Sequence, residues 1–453
     1  MRTRRPQLTA VGLALFSALG AVAFSLASEP PFSLRDAVRF ALENSPTFDT
    51  AKKTQAIREL EYRNAVAKML PSADATAVHG LQNNVPIAGT PSVANPTAPW
   101  YSSLNLGLTE SLYDNGVSLT QASIADLNRD LAAITYMKAR DSLTLDVTLA
   151  FYRFSLSTIL LDVRKQQQTV LEKQFRTLTS QYQQGFKTKA DYLRLKTQVQ
   201  RAEIDRITAE NSIELASAEL QRLLGAGYGS PSHPSFQPIS IQLDAQSNDR
   251  LEDSFPEKPP AFEDLYDSRI TRLQEEVNGK AVTLARRNYW PQVSLTSGVT
   301  YSNSNYLNSG TPFTATHQLS WNALVTVQYN FWDWGTRSRS VQVSEYNRDI
   351  QQNGLHQGLL DIGAQITNLM VDLSRIKRNY KLSRELLDLE QESNHNVESQ
   401  YREGKVTYLD LITSLNSLLD AKVQYYTAHF DALQGIAKHQ YFEGKIYEAL
   451  AGK

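Results

Sequence analysis

The segments 117–184 and 336–403 contain no proline, and the first contains no glycine either. Proline removes a backbone donor and clashes with the preceding turn. Runs this long without it, rich in Leu, Ala, Gln, Arg and Lys, predict single helices of about 100 Å at the usual rise per residue. Leu127, Leu131 and Ile134, and later Val147, Phe151 and Phe154, recur at spacings of three and four, the period of a coiled-coil seam. Gly354, Gly358 and Gly363 mark the second segment as the looser copy, with a bend expected there. The usual conversion of length into domain number assumes compact cores and fails for such a chain of 453 residues.

The rods belong to a duplicated plan. YQQGFKTKAD (Tyr182 to Asp191) and YREGKVTYLD (Tyr401 to Asp410) share the skeleton Y-x-x-G-x-x-T-x-x-D at an offset of 219. Each follows a long helix and precedes a returning one, expected over 186–224 and 405–443, so each is a hairpin tip. Gly185 and Gly404 suit the left-handed conformation that ends a helix. Thr188 and Thr407 suit the cap of the next helix, and Asp191 and Asp410, three residues on, complete a capping box at its positive end. Upstream, LYDNG (Leu112 to Gly116) and FWDWG (Phe331 to Gly335) immediately precede the two rods and share that offset, while Leu70-Pro71 and Trp290-Pro291 match at 220.

Between each of those prolines and each Asp-x-Gly the period changes to two. From Gln318 to Asp333, the residues Leu319, Trp321, Ala323, Val325, Val327, Tyr329 and Phe331 alternate with mostly polar ones; Val293, Leu295, Val299 and Tyr301, and Leu104, Leu106 and Leu108, do the same. Half-buried strands are expected, in two β-hairpins over about 72–114 and 292–333. The connectors QNNVPIAGTPSVANPTAPWY and SNSNYLNSGTPFTATH have the composition of exposed loops. The chain thus divides into a first repeat (28–224), a Pro-, Ser- and Gly-rich belt (225–260) and a second repeat with a short C-terminal tail (261–453). Strands of about ten residues with one apolar face and aromatic ends, here Trp100, Tyr101, Tyr301, Trp321, Phe331 and Trp332, suit an outer-membrane barrel. Four strands cannot close one, so a chain whose strands span a membrane has to oligomerise.

The remaining features limit function by exclusion. Arg2, Arg4 and Arg5, an apolar run from Val11 to Leu26 and small residues at Ser25 and Ala27 predict a cleaved signal peptide over 1–27. The absence of cysteine excludes disulfides, thiol catalysis and a lipid on an N-terminal cysteine. A formal net charge of -1 gives no argument for a nucleic-acid partner. The seven histidines are scattered, with no metal-ligand pair at helical spacing and no nucleophile motif, so neither an enzyme nor a cofactor is indicated. A periplasmic coiled-coil adaptor or scaffold shares the signal and the helical hairpins, but not two matching pairs of amphipathic strands.

Taken together, the signal, the opening SLRDAVRFALENSP, the paired strand units, the Asp-x-Gly turns and the duplicated tips resemble the TolC-like outer membrane efflux proteins over essentially all of Ser28 to Lys453. The resemblance implies an α+β membrane protein. It implies a trimer, with a twelve-stranded β-barrel in the outer membrane continuous with a twelve-helix periplasmic α-barrel. It implies an exit duct for an inner-membrane RND or ABC transporter and its periplasmic adaptor, in efflux or type I secretion, and a member without a lipid anchor. Carried over by residue, Gly185 to Thr188 and Gly404 to Thr407 fall where the adaptor docks, and Asp410 falls at the first acidic ring of the periplasmic entrance. Asp191, Tyr401, Arg402 and Lys405 are its candidate gate partners. Val406 and Thr413 stand where the family has a basic and a second acidic residue, which departs from the usual closed-state bonding.

Overall fold

A computed structural model describes residues 32–81, 100–225, 236–239, 250–308 and 311–451. The expected signal peptide, the tip of the first β-hairpin, the side chains of Trp100 and Tyr101 and most of the belt lie outside the described residues. In chain order the elements are α1 (Leu34–Asn44), α2 (Pro46–Ala67), β1 (Ser72–Leu81), β2 (Trp100–Tyr113), α3 (Val117–Gln183), α4 (Lys189–Leu223), α5 (Tyr266–Arg287), β3 (Gln292–Asn308), β4 (Thr311–Gln328), α6 (Thr336–Arg402), α7 (Tyr408–Phe442) and α8 (Ile446–Ala451).

Both rods are 67-residue helices. Helix α6 passes through Gly354, Gly358 and Gly363 unbroken, and a Cβ on any of them would meet nothing within 4 Å. Each therefore weakens the helix by roughly 1 kcal/mol relative to Ala, with no packing reason for it within the chain. The returning helices begin at Lys189 and Tyr408, three residues later than the expected starts at 186 and 405. Thr188 and Thr407 hold extended backbone (ψ 158° and 160°) because their hydroxyls must face back onto the first helical amides, and this leaves Phe186-Lys187 and Lys405-Val406 as short links.

The four strands form one antiparallel sheet in the order β1-β2-β3-β4. Its second hairpin is longer than the composition suggested, because β3 and β4 pair as far as Asn308↔Thr311, through most of the stretch expected to be a loop. A ladder needs only backbone groups, so Ser, Asn and Thr serve beyond the apolar band as well as Val and Leu do within it. Conversely, β4 stops at Gln328, although the alternation in sequence runs on to Asp333, whose side chain is engaged at the start of α6. One face carries Ala73, Ala75, Ala77, Leu104, Leu106, Leu108, Val293, Leu295, Val299, Tyr301, Leu319, Trp321, Val325 and Val327, as the pairing requires, and the large members of this face are solvent-accessible, Trp321 at 79% and Leu319 at 73%. An apolar face of this extent, left bare, suits lipid rather than water.

Burial in the helical part is organised in three clusters. Near the middle, α1 presents Ala37, Val38 and Ala41 to Val147 and Phe151 of α3 and to Leu220 and Leu224, with Phe236 of the belt added from outside. A bridge between Phe32 and Phe236 and the bond from Ile239 N to Ser155 Oγ (3.1 Å) bind this part of the belt to the helices. In the second repeat, Leu373, Ile376 and Tyr380 of α6 pack on Leu418, Ala421 and Tyr425 of α7, with Leu251 and Phe255 alongside. Gly435 lets α7 approach closely there, since a Cβ would lie 3.0 Å from Leu373 and 3.3 Å from Ile376. The third cluster lies at the tips.

Candidate functional site

Each tip is built by two capping devices in sequence. Where α3 ends, Gly185 sits at φ 82°, its amide bonds to Tyr182 O (3.0 Å), and the amide of Phe186 reaches Gln181 O (2.9 Å). Where α6 ends, Gly404 (φ 74°) bonds to Tyr401 O (3.0 Å) and the amide of Lys405 to Gln400 O (2.9 Å). These are Schellman closures, which satisfy carbonyls that the helix itself leaves open. Neither glycine has any atom within 4 Å of a Cβ position, so both are bare surface.

The capping boxes follow. Asp191 N donates to Thr188 Oγ1 (3.1 Å), and Asp191 Oδ2 accepts from Thr188 N (3.3 Å) and Thr188 Oγ1 (2.7 Å). At the second tip the same bonds measure 3.3, 2.9 and 2.6 Å between Asp410 and Thr407. The Thr188 and Thr407 hydroxyls, then their amides, hold the two carboxyls below the usual carboxylate range.

Within one chain, Tyr401, Arg402 and Lys405 contact groups other than these acids. Arg402 pairs with Glu398 (3.2 Å), Lys405 with Glu403 (2.5 Å), and the Tyr401 ring lies 6.2 Å from that of Tyr408. What joins the two hairpins is instead Tyr408, whose hydroxyl donates to Gln174 Oε1 (2.9 Å) on α3, and Ile412, which is buried with Leu171, Leu178 and Leu195 of the first hairpin. Burial pushes the Tyr408 phenol above its ordinary range. Between the tips lies a cleft of about 130 Å³, with Lys187, Asp191 and Arg194 on one side and Thr407, Tyr408 and Leu409 on the other. Tyr408 was legible only as a departure: it stands where the first copy has Lys189.

At the other end of each rod the Asp-x-Gly turns form elbows between strand and helix. Asp114 accepts from the amides of Gly116 (2.9 Å) and Ser118 (2.7 Å), and Asp333 from those of Gly335 (3.1 Å) and Arg337 (3.0 Å). Asn115 and Trp334 take φ 56° and Gly116 and Gly335 φ near 75°, two successive left-handed residues that turn the chain through the corner. Arg287, at the end of α5, donates to Gly116 O (2.7 Å) and to Thr120 Oγ1, while Asn115 Nδ2 donates to Arg287 O (3.1 Å). Arg337 bonds Asp333 (2.7 Å) and Tyr289 O (3.2 Å). Among the described residues no group of His, Asp and Glu is arranged to hold a metal ion.

An open sheet with one bare apolar face, two very long helical rods and twinned tips define an elongated membrane-protein fold built on an internal repeat. The family model for the outer membrane efflux protein matches residues 37–226 and 269–435, and the chain belongs to that family. Among solved structures it is similar to the CmeC outer membrane channel of Campylobacter jejuni (13% identity, TM-score 0.73, covering 98% of this chain and 94% of that one). It is also similar to the outer membrane protein VceC of Vibrio cholerae (16%, 0.71, 92% and 95%) and to the open state of the MtrE outer membrane channel of Neisseria gonorrhoeae (16%, 0.68, 91% and 88%). No curated protein sequence matches it. The protein is an outer membrane exit duct of a tripartite efflux system, with a large periplasmic extension, in a family of channels rather than enzymes.

Proposed function

We propose that three copies of the chain close into one duct, with twelve strands in the outer membrane continuous with twelve helices across the periplasm. The observation that carries this reading is the sheet. Its edge strands β1 and β4 each have one side unpaired among the described residues, one of its faces is apolar and exposed, and lipid tolerates no open edge. Four strands fall short of the bacterial minimum of eight, and three copies supply twelve. Exposed apolar side chains along the rods, Val343, Tyr346 and Ile350 on α6 and Leu193, Ile204 and Leu215 on α4, support seams between copies.

In this assembly the bare tips, Gly185 to Thr188 and Gly404 to Thr407, are the docking points for a periplasmic adaptor, whose helical ends approach closest where there is no side chain. Asp410 recurs three times around the entrance, with Asp191, Tyr401, Arg402 and Lys405 bordering it. Cargo arrives from an inner-membrane RND or ABC transporter and crosses passively.

Mass determination in detergent is expected to give three copies; a monomer that stays soluble without detergent would refute the assembly. Gly185→Trp or Gly404→Trp is expected to abolish export while leaving the trimer inserted. Undiminished export by inserted variants would remove the tips from the docking site.

A further inference from the structure

The internal repeat specifies which residues meet where one copy joins the next. Residues of β1 map onto β3 at an offset of 220, and those of β2 onto β4 at 219, as the Leu70-Pro71/Trp290-Pro291 and LYDNG/FWDWG matches require. These offsets reproduce observed geometry. They carry Ser72↔Thr109 onto Gln292↔Gln328, Ala77↔Leu104 onto Ser297↔Ala323 and Leu81↔Trp100 onto Tyr301↔Leu319, and all three image pairs are present.

The chain also contains one seam between repeats, β2 against β3. Moved forward by one repeat, that seam becomes β4 against β1 of another copy. Leu106↔Val299 then becomes Val325↔His79, Gly107↔Gly298 becomes Thr326↔Val78, Leu108↔Ser297 becomes Val327↔Ala77, and Asn105↔Thr300 becomes Leu324↔Gly80. We propose that β4 of one copy pairs antiparallel with β1 of the next in this register. The proposal rests on the self-assembly proposed above and goes beyond it by fixing the residues.

Two further observations agree with it. The polar face of the sheet carries two large apolar residues among the described side chains, Val78 at 48% and Leu324 at 54% exposure, one on each edge strand. The proposed register sets Leu324 opposite Gly80, over which nothing lies within 4 Å, and diagonally beside Val78, so the two exceptions cover each other. At the elbows, Arg287 lies over Gly116, 2.6 Å from a Cβ position there, and its counterpart one repeat on is Ala67 of the next copy, which has no guanidinium. Over Gly335 the place is taken by Arg339 of the same helix, 3.2 Å from the corresponding position, so the edge left for another copy needs no cation from it.

The chain has no cysteine, so engineered thiols are the only ones present. Two double variants test the register: Ala77→Cys with Val327→Cys on the lipid face, and Val78→Cys with Thr326→Cys on the polar face. Adjacent rows alternate between the wider and the closer pair type, so one of the two has the favourable spacing. Within a single chain the partners sit on opposite edges of the sheet, three strand spacings or about 14 Å apart, too far for a disulfide. The control, Ala77→Cys with Ala323→Cys, is displaced by four residues, about 13 Å along the strand. Mild oxidation of detergent-solubilised protein is expected to convert most of at least one in-register variant into covalent dimers and trimers on a denaturing gel, reversed by reductant, with the control silent. Cross-linking by the control alone, or by none of the three in protein of trimeric mass, overturns the register and leaves the assembly standing. A monomeric mass for the parent chain overturns both.

Discussion

The two elbows have the same backbone and solve the same problem from opposite sides. At the first, the guanidinium over the glycine comes from α5, 171 residues away in sequence, and is bonded to both Gly116 and Thr120. At the second, the residue in the position of Thr120 is itself the arginine, Arg339, and it comes from four residues along its own helix. The difference teaches where the chain expects covalent continuity. A tie across helices is safe when both belong to one molecule, whereas an edge that meets another molecule, as in the assembly proposed above, is better satisfied from within, because a buried group left without its partner costs more than the bond gains. A different contrast separates the hairpins. In the first repeat Glu210 is half-exposed and paired with Arg206. Its counterpart one repeat on is His429, set among the rings of Tyr380, Tyr425 and Phe430 with a buried, unpartnered Nδ1.

The largest expected difference between the repeats is therefore in acid. Burial pushes the His429 imidazole down to about 4 from an ordinary 6.5. The folded state favours the neutral ring, so stability is complete above 6.5 and falls as the pH drops from there through 4, by about 3 kcal/mol at the end of the range. Hydrogen exchange at pH 7 and pH 5 is expected to show α6 and α7 loosening around residues 380 and 425 while the matching part of α3 and α4 does not. His429→Phe should flatten the difference, and equal loosening of both hairpins would remove the distinction.

Next in size is the elbow itself. Arg287→Ala deletes charged bonds to Gly116 O and Thr120 and is expected to destabilise by about 2 kcal/mol. Arg339→Ala removes an exposed guanidinium that anchors no second helix and is expected to change stability by less than about 0.5 kcal/mol. Denaturant melts of the two variants side by side decide whether the elbows differ as described; equal effects would make them equivalent.

The smallest effect concerns the tips, where the repeats agree. Asp191 and Asp410 are both held below the ordinary carboxylate range by their own threonines, so their contribution is present above about 3.8 and is lost only as the pH falls through their lower folded values. Protection of the first amides of α4 and α7 against exchange, corrected for the intrinsic pH dependence, should be unaltered between pH 7 and pH 5, in contrast to the His429 region. Asp410→Asn, which retains shape and some capping, should leave thermal stability almost unchanged while weakening cation selectivity in planar bilayers; unaltered selectivity would leave Asp410 a helix cap only.

Most of the architecture was legible because it is periodic. The rods follow from the missing prolines, the strands from the change of period at Leu104 and Leu319, and the tips from glycine, threonine and aspartate at fixed spacing. What escaped had no period. The starts at Lys189 and Tyr408 depend on two residues of link after a Schellman closure, which the helix-forming composition of Phe186 to Asp191 does not reveal. The extension of β3 to Asn308 rests on backbone pairing that Ser, Asn and Thr neither demand nor forbid. The elbow arginines and the Tyr408 to Gln174 bond, which spans 234 residues, depend on which helices become neighbours, and a local reading of sequence carries no such information.

That last bond has a mechanical meaning. With Tyr408 held to α3 and Ile412 buried among the side chains of the first hairpin, the two hairpins of one chain form a single jaw rather than two independent fingers. In the assembly proposed above, each chain brings one such jaw to the entrance, and its two tips move as a unit.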